Sequence, residues 1–184
     1  MHAFAIINFH ELSPTTLCDV VVHKFHHPIE QTADEIMTYF NLELPDDSQV
    51  AGSAAIQQLL FSRLHAEFSQ VIRKEATILY PVIREKCVLE EKYKCIQPAT
   101  YESIRQAFQK ITLLLQKLRQ VSDNYQIQQT WSSEYKLCVS NLYMLEQLIQ
   151  QWLYIEQNIL YPTVTKPGTI IVQQDELNNT SSID

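Results

Sequence analysis

Two glutamates stand in one repeated phrase. Glu75-Ala76-Thr77-Ile78-Leu79-Tyr80-Pro81 returns 81 positions later as Glu156-Gln157-Asn158-Ile159-Leu160-Tyr161-Pro162, so E-x-x-I-L-Y-P occurs twice. Each glutamate interrupts an apolar run of helical spacing. Each carboxyl is therefore expected inside a helical core, where it needs a cation, a proton or a hydrogen-bond network. His26 lies on the apolar stripe of an earlier segment. Carboxylates and an imidazole facing inward from different helices are the donor types from which metal centres in helical bundles are built. No Ser/His/Asp order, Gly-rich phosphate loop or H-E-x-x-H motif is present, so hydrolase and nucleotide-dependent chemistry have no support, and an enzyme would need the metal.

Four helical stretches must position these groups. The first is expected from the Ser13-Pro14 cap to about Phe40, with the stripe Val22, His26, Ile29, Ala33, Ile36, Phe40 and a kink at Pro28 just after His26-His27. The second runs from about Gln49 to the Cys87 region and carries Leu64, Phe68, Val71, Glu75, Ile78 and Val82 on one face. Pro98 opens the third, whose stripe is Tyr101, Ile104, Phe108, Ile111, Leu115, Leu118, and Asp123-Asn124 stops it. Thr130 is the expected cap of the fourth, which carries Leu142, Leu145, Ile149, Trp152, Glu156 and Ile159. Short connections between such stretches favour an all-α, up-down-up-down four-helix bundle over residues 13–164. Residues 165–184 are expected as a strap, with Thr169 to Val172 extended, followed by a disordered tail.

Composition agrees with one helical domain. At 184 residues and 46% apolar content the chain can bury a real core, and only two glycines leave few turns. A net charge of −7 without a basic block argues against a nucleic-acid partner. The four cysteines form no C-x-x-C and are expected as reduced, partly buried thiols. No run reaches membrane length, and Met1 to His10 lacks the basic start of a signal peptide, so a cytoplasmic protein is expected.

Three phrases resemble the hemerythrin-like proteins, most closely the di-iron family that repairs iron–sulfur centres under nitrosative and oxidative stress. Leu64-His65-Ala66-Glu67-Phe68 through Lys74-Glu75 to Ile78-Leu79-Tyr80-Pro81 is similar to that family's L-H-x-E-L, H-M-x-K-E-E and I-L-F-P. Ile155 to Pro162 resembles its last-helix H-x-x-L-E-N-x-x-L-F-P, and Val21-Val22-His23-Lys24-Phe25-His26 resembles its I-I-V-R-Y-H. The similarity spans about residues 15 to 164, and the paired E-x-x-x-L-[FY]-P phrases are its specific part. It implies a hemerythrin-like bundle with His26, Glu75 and Glu156 as the family's surviving metal ligands.

Departures from the family pattern are as informative. The ligand histidine expected four residues before each glutamate is replaced by Val71 and by Trp152, and the third-helix histidine falls at Ile104 by periodicity or at Arg105 by local similarity. The family's cysteine-bearing N-terminal domain has no counterpart before Ser13. One imidazole cannot supply the nitrogen donors that two irons require. What remains is either a single Fe, Mn or Zn ion on His26, Glu75 and Glu156, or no cofactor and a polar network. In such a network one acid is protonated, or both pair with protonated His26 or with Arg105. The expected function is a non-enzymatic binding or regulatory paralogue with a protein partner or a homodimer, the alternative being a stress-response protein handling iron, NO or O₂ at a reduced site. Tyr80, Tyr161, Tyr154, Tyr143 and Trp131 offer either a dimer face or helix-end core and rim. His65 lies one position off its stripe, and His23 and His27 form an i, i+4 pair on a solvated face.

Overall fold

The Ser13 hydroxyl accepts from the Thr16 amide and Pro14 occupies the first turn, so the first helix starts where the cap residues place it. The structure, a computed structural model, describes residues 8–41, 48–89 and 95–166. Within them the protein is an all-α helical bundle of four long helices. Helix α1, residues 14–41, joins Pro14–Val21 and His27–Asn41 through a π turn, Val22–His26. Helix α2, residues 48–89, joins Ser48–Lys74 and Tyr80–Leu89 through the π turn Glu75–Leu79. Helix α3 is Pro98–Val121, and α4, residues 133–164, joins Ser133–Ile155 and Tyr161–Val164 through the π turn Glu156–Leu160. The cap of α4 is Ser132, whose hydroxyl accepts from the Tyr135 amide, rather than Thr130.

All three π turns end two positions before a proline: Pro28, Pro81 and Pro162. Proline has no N–H, and its ring collides with the carbonyl four residues earlier. Adding one residue to the preceding turn relieves both problems. The amides of His27, Tyr80 and Tyr161 accordingly reach back five residues, to the carbonyls of Val22, Glu75 and Glu156. The kink expected at Pro28 is thus realised as a widened turn within a continuing helix.

In α1 and α2 the inserted residue also shifts the buried stripe by one, whereas in α4 Ile159 is buried as expected. Beyond Glu75 the periodic expectation of Ile78 and Val82 fails: Ile78 is 55% exposed, while Leu79, Tyr80 and Ile83 are buried. At the first π turn, Val21 just before it is buried and Val22, its first residue, is only half-buried. Helix α3 has no such turn, and Ile104, Phe108, Ile111, Leu115 and Leu118 are all buried as its spacing predicts.

The His27–Asn41 segment packs along Ser133–Ile155, Ser48–Lys74 along α3, and Pro14–Val21 against Tyr80–Leu89. Side chains such as Phe68, Phe108, Leu142 and Ile149 fill the space between, each fully buried. Burial of residues of this size stabilises the fold by about 1.5–3 kcal/mol apiece. A bidentate pair ties α3 to α4: the Arg119 guanidinium donates to both carboxylate oxygens of buried Glu146, which also accepts from Gln150 at 2.8 Å. Beyond Val164, Ile96 and Thr165 form a parallel bridge, the Ile96 amide donating to Val164 and the Lys166 amide to Ile96, both at 2.9 Å. The strap segment Thr169 to Val172 and the tail lie outside the described residues. No described helix is long and apolar enough to cross a membrane.

Candidate functional site: a buried carboxyl pair

The three π turns carry the candidate residues to one place. Glu75 and Glu156 open their π turns, His26 closes its own, and all three are buried to 2% exposure or less. On a regular α-helix, residues five apart lie roughly 140° from each other around the axis. The extra residue of the π turn lets Glu75 and Tyr80, and likewise Glu156 and Tyr161, point inward together, and both tyrosines are completely buried.

The tyrosines then cross over. Tyr161 donates to Oε1 of Glu75 at 2.9 Å, and Tyr80 donates to Oε1 of Glu156 at 2.5 Å. The Tyr80 oxygen also lies 3.4 Å from Oε2 of Glu75, so this one hydroxyl stands against both acids. It has a single hydrogen to give, and the shorter contact claims it. A proton on Glu75 satisfies the remaining contact by donating back to the Tyr80 oxygen.

His26 approaches from α1. Its Nε2 is 3.1 Å from Oε2 of Glu75, close enough for an ion pair, yet the nitrogen makes no aligned hydrogen bond. We regard the contact as uncharged. Burial holds the imidazole down at about 4, well below its ordinary 6.5, against the weaker opposing charge of Glu30. Burial also pushes Glu75 up to about 8, with the Tyr161 and Tyr80 hydroxyls pulling the other way. Glu156 is driven well above the carboxylate range by burial and then by the charge of Glu75, opposed by the Tyr80 hydrogen bond. Burial raises both tyrosines as well, so they remain donors at neutral pH. Burial thus favours the protonated, near-neutral form of the cluster.

Its surroundings are apolar where the family pattern asks for ligands. Trp152 is fully buried with its ring edge-on to His26 at 5.3 Å and to Phe108 at 5.7 Å. Val71 and Ile104 are buried too, and Ile104 rather than Arg105 takes the core-facing position on α3. The pairing of Arg105 with the core acids is corrected: its side chain is about half exposed and held on Glu102 by two bonds of 2.8 and 2.7 Å. Of the expected pairings with the acids, His26 does reach Glu75, at 3.1 Å, while its burial disfavours the charged ring. Arg84 lies 6.0 Å from the centre of the Tyr80 ring and is itself paired with Asp19 on the surface.

The donor set does not fit a binuclear iron centre. It offers one imidazole and two carboxyls, with the Tyr80 hydroxyl wedged against both acids. Among the described residues, no group of three or more His, Cys, Asp or Glu side chains has the arrangement to hold a metal ion. Cys18 is also buried, and its thiol is pushed up by burial and by the nearby charges of Glu156 and Glu75. His65 packs edge-on to Phe68 at 5.2 Å, and His23 and His27 pair with each other at 5.4 Å on an exposed face. Tyr143 and Tyr154 are exposed, so only Tyr80 and Tyr161 of the aromatic group belong to the site.

Periodicity did not reveal the two tyrosines as partners of the acids, because it assumes a constant turn. The signal lies in the proline that follows each tyrosine and forces the turn to widen. Compared with known proteins, the chain matches no family model and no curated protein, so any family resemblance rests on the residues themselves.

Proposed function

We propose that the chain is a hemerythrin-like bundle of up-down-up-down connectivity, in which a proton-filled tyrosine–glutamate network stands where the family holds two irons. It acts by binding, as a regulatory or accessory protein with a protein partner or a second copy of itself. The observation that carries this reading is the crossed pair of tyrosine hydroxyls on Glu75 and Glu156, which gives both acids hydrogen-bond partners without a cation. Trp152 and Val71 at the positions of the family's histidines support it. Thermal unfolding with Fe(II), Mn(II) or Zn(II) tests it. A metal that binds only the folded chain adds about 2.7 kcal/mol at a hundredfold excess over its Kd; the expected shift is none, and a concentration-dependent rise overturns the reading.

One observation favours a second reading, a single-ion protein of the stress-response type. Nε2 of His26 and Oε2 of Glu156 are buried without hydrogen-bond partners, and both are atoms able to ligate a cation. Saturable stabilisation by one metal, lost in Glu156→Gln, would establish that alternative.

A further inference from the structure

A separate pocket of about 210 Å³ lies where the start of α2 meets the turn between α3 and α4. Gln57, on its floor, is eighteen residues before Glu75 on the same helix, roughly 27 Å along the axis. The floor is polar and buried. Gln57, Ser122 and Tyr135 are exposed by 1%, 4% and 1%, and they form a chain in which Tyr135 donates to Oε1 of Gln57 at 3.0 Å and Nε2 of Gln57 donates to Ser122 at 3.1 Å. Beyond these two bonds, the amide has a second hydrogen to give and the serine hydroxyl has its own.

Trp131, half-buried, forms a wall with its ring 4.7 Å from that of Tyr135. Asp123 sits at the mouth. Its backbone, with those of Asn124 and Tyr125, is left-handed, at φ of 46°, 54° and 62°. Three consecutive non-glycine residues in that region cost about 1–2 kcal/mol each, and such strain persists where surrounding structure fixes it. Here the amides of Tyr125 and Gln126 donate back to Ser122 and Asp123 at 2.8 and 3.2 Å.

These features select a ligand by chemistry. Among the described residues no lysine, arginine or histidine lines the pocket and Asp123 is its one charged residue, so a phosphate or carboxylate would meet the repulsion of Asp123 with no cation to offset it. The volume falls below the roughly 300–1,000 Å³ of pockets for drug-sized molecules, which limits the ligand to about one ring. A small organic cation would suit Trp131 and Asp123 but would leave the donors of the floor unmatched. Hydroxyl groups would suit these walls better, accepting from Gln57 and Ser122, donating to Asp123, and leaving C–H faces for the indole.

We propose that this pocket binds one uncharged, hydroxyl-rich ring, a monosaccharide or a cyclitol. The assignment does not depend on the state of the buried carboxyl pair. Titration of the isotope-labelled full chain with the methyl glycosides of glucose, galactose and mannose and with myo-inositol, following both indole N–H signals, tests it. Expected is a saturable shift of the Trp131 signal with at least one of these compounds, at a Kd on the order of 1–10 mM, with Trp152 unmoved. Trp131→Ala is expected to weaken binding at least tenfold in a chain whose spectrum is otherwise unchanged; should that variant unfold, Asp123→Asn is expected to weaken it likewise. No shift with any of the four compounds, equal shifts of both indoles, or a Trp131 response confined to tetramethylammonium or inorganic phosphate would overturn the proposal.

Discussion

The hydroxyl of Tyr80 lies 2.5 Å from a carboxyl oxygen of Glu156, a residue on a different helix, while its own helix contributes Glu75 at 3.4 Å. Tyr161 answers from the other side at 2.9 Å to Glu75. The two copies of the E-x-x-I-L-Y-P phrase thus complete each other, each supplying the acid that the other's tyrosine binds. The repeat is a pairwise hydrogen-bonding unit, and its proline is the part that turns the tyrosine inward.

Replacing both acids tests whether they are needed as carboxylates. Glu75→Gln with Glu156→Gln keeps shape and hydrogen bonding while removing the option of charge. The double variant is expected to fold normally and to melt at the same temperature as the parent or higher. A clear fall in melting temperature, accompanied by loss of a bound metal, contradicts this.

Removing a hydroxyl should be worse than removing a charge. Tyr80→Phe takes the donor from Glu156 and the acceptor from the Glu75 proton, two buried groups, and Tyr161→Phe takes one donor from Glu75, at an expected cost of about 1–3 kcal/mol for each group left unsatisfied. Urea unfolding is expected to rank Tyr80→Phe below Tyr161→Phe. The reverse order would show that Tyr80 does not bridge the acids.

Stability should depend on pH with a definite sign. Glu75 and Glu156 hold protons in the folded chain above the ordinary carboxyl value of 4.5, so stability falls as pH rises from there towards the native titration of Glu75 near 8. The slope is about 1.4 kcal/mol per pH unit for each retained proton. His26 opposes this between about 4 and 6.5, where the unfolded chain binds the extra proton and stability rises with pH. Two acids against one imidazole give a net decline that steepens above about pH 6.5. Relative to the double glutamine variant, the parent should lose stability between about pH 5 and about pH 8; a pH-independent difference would show that the acids are already ionised in the native state.

Much of the fold was legible in the sequence, and the limit has a physical cause. Helix α3, free of proline in its interior, follows the 3.6-residue period along its whole length, and every core residue from Ile104 to Leu118 was readable. In α2 the same rule works up to Glu75 and then places Ile78 where Leu79 belongs, because a π turn adds one residue that no fixed period contains. His26, Glu75 and Glu156 were legible as buried polar interruptions of apolar stripes. Arg105 was not, since its half-exposed pairing with Glu102 depends on which of two adjacent residues faces the core, and Ile104 wins by burial. The Arg119–Glu146 pair escaped notice because Glu146 lies beside Leu145 at the edge of a stripe that reads as complete without it.

That pair gives a test away from the site. Arg119→Ala leaves Glu146 buried with Gln150 as a remaining partner, at an expected cost on the order of 1–3 kcal/mol, less than for a fully buried pair because Arg119 is 44% exposed. Thermal unfolding measures it. Replacing both partners by apolar residues should recover part of the loss, and no recovery would show that the pair itself carries the stability.

Iron content per chain addresses the central claim most directly. Protein purified without oxygen from iron-replete cells, and subjected to elemental analysis, is expected to contain far less than one iron per chain, because each acid already accepts a tyrosine hydrogen bond and the described residues at the site offer a single imidazole, His26. Two irons per chain, with Glu75 and Glu156 required to retain them, would contradict it.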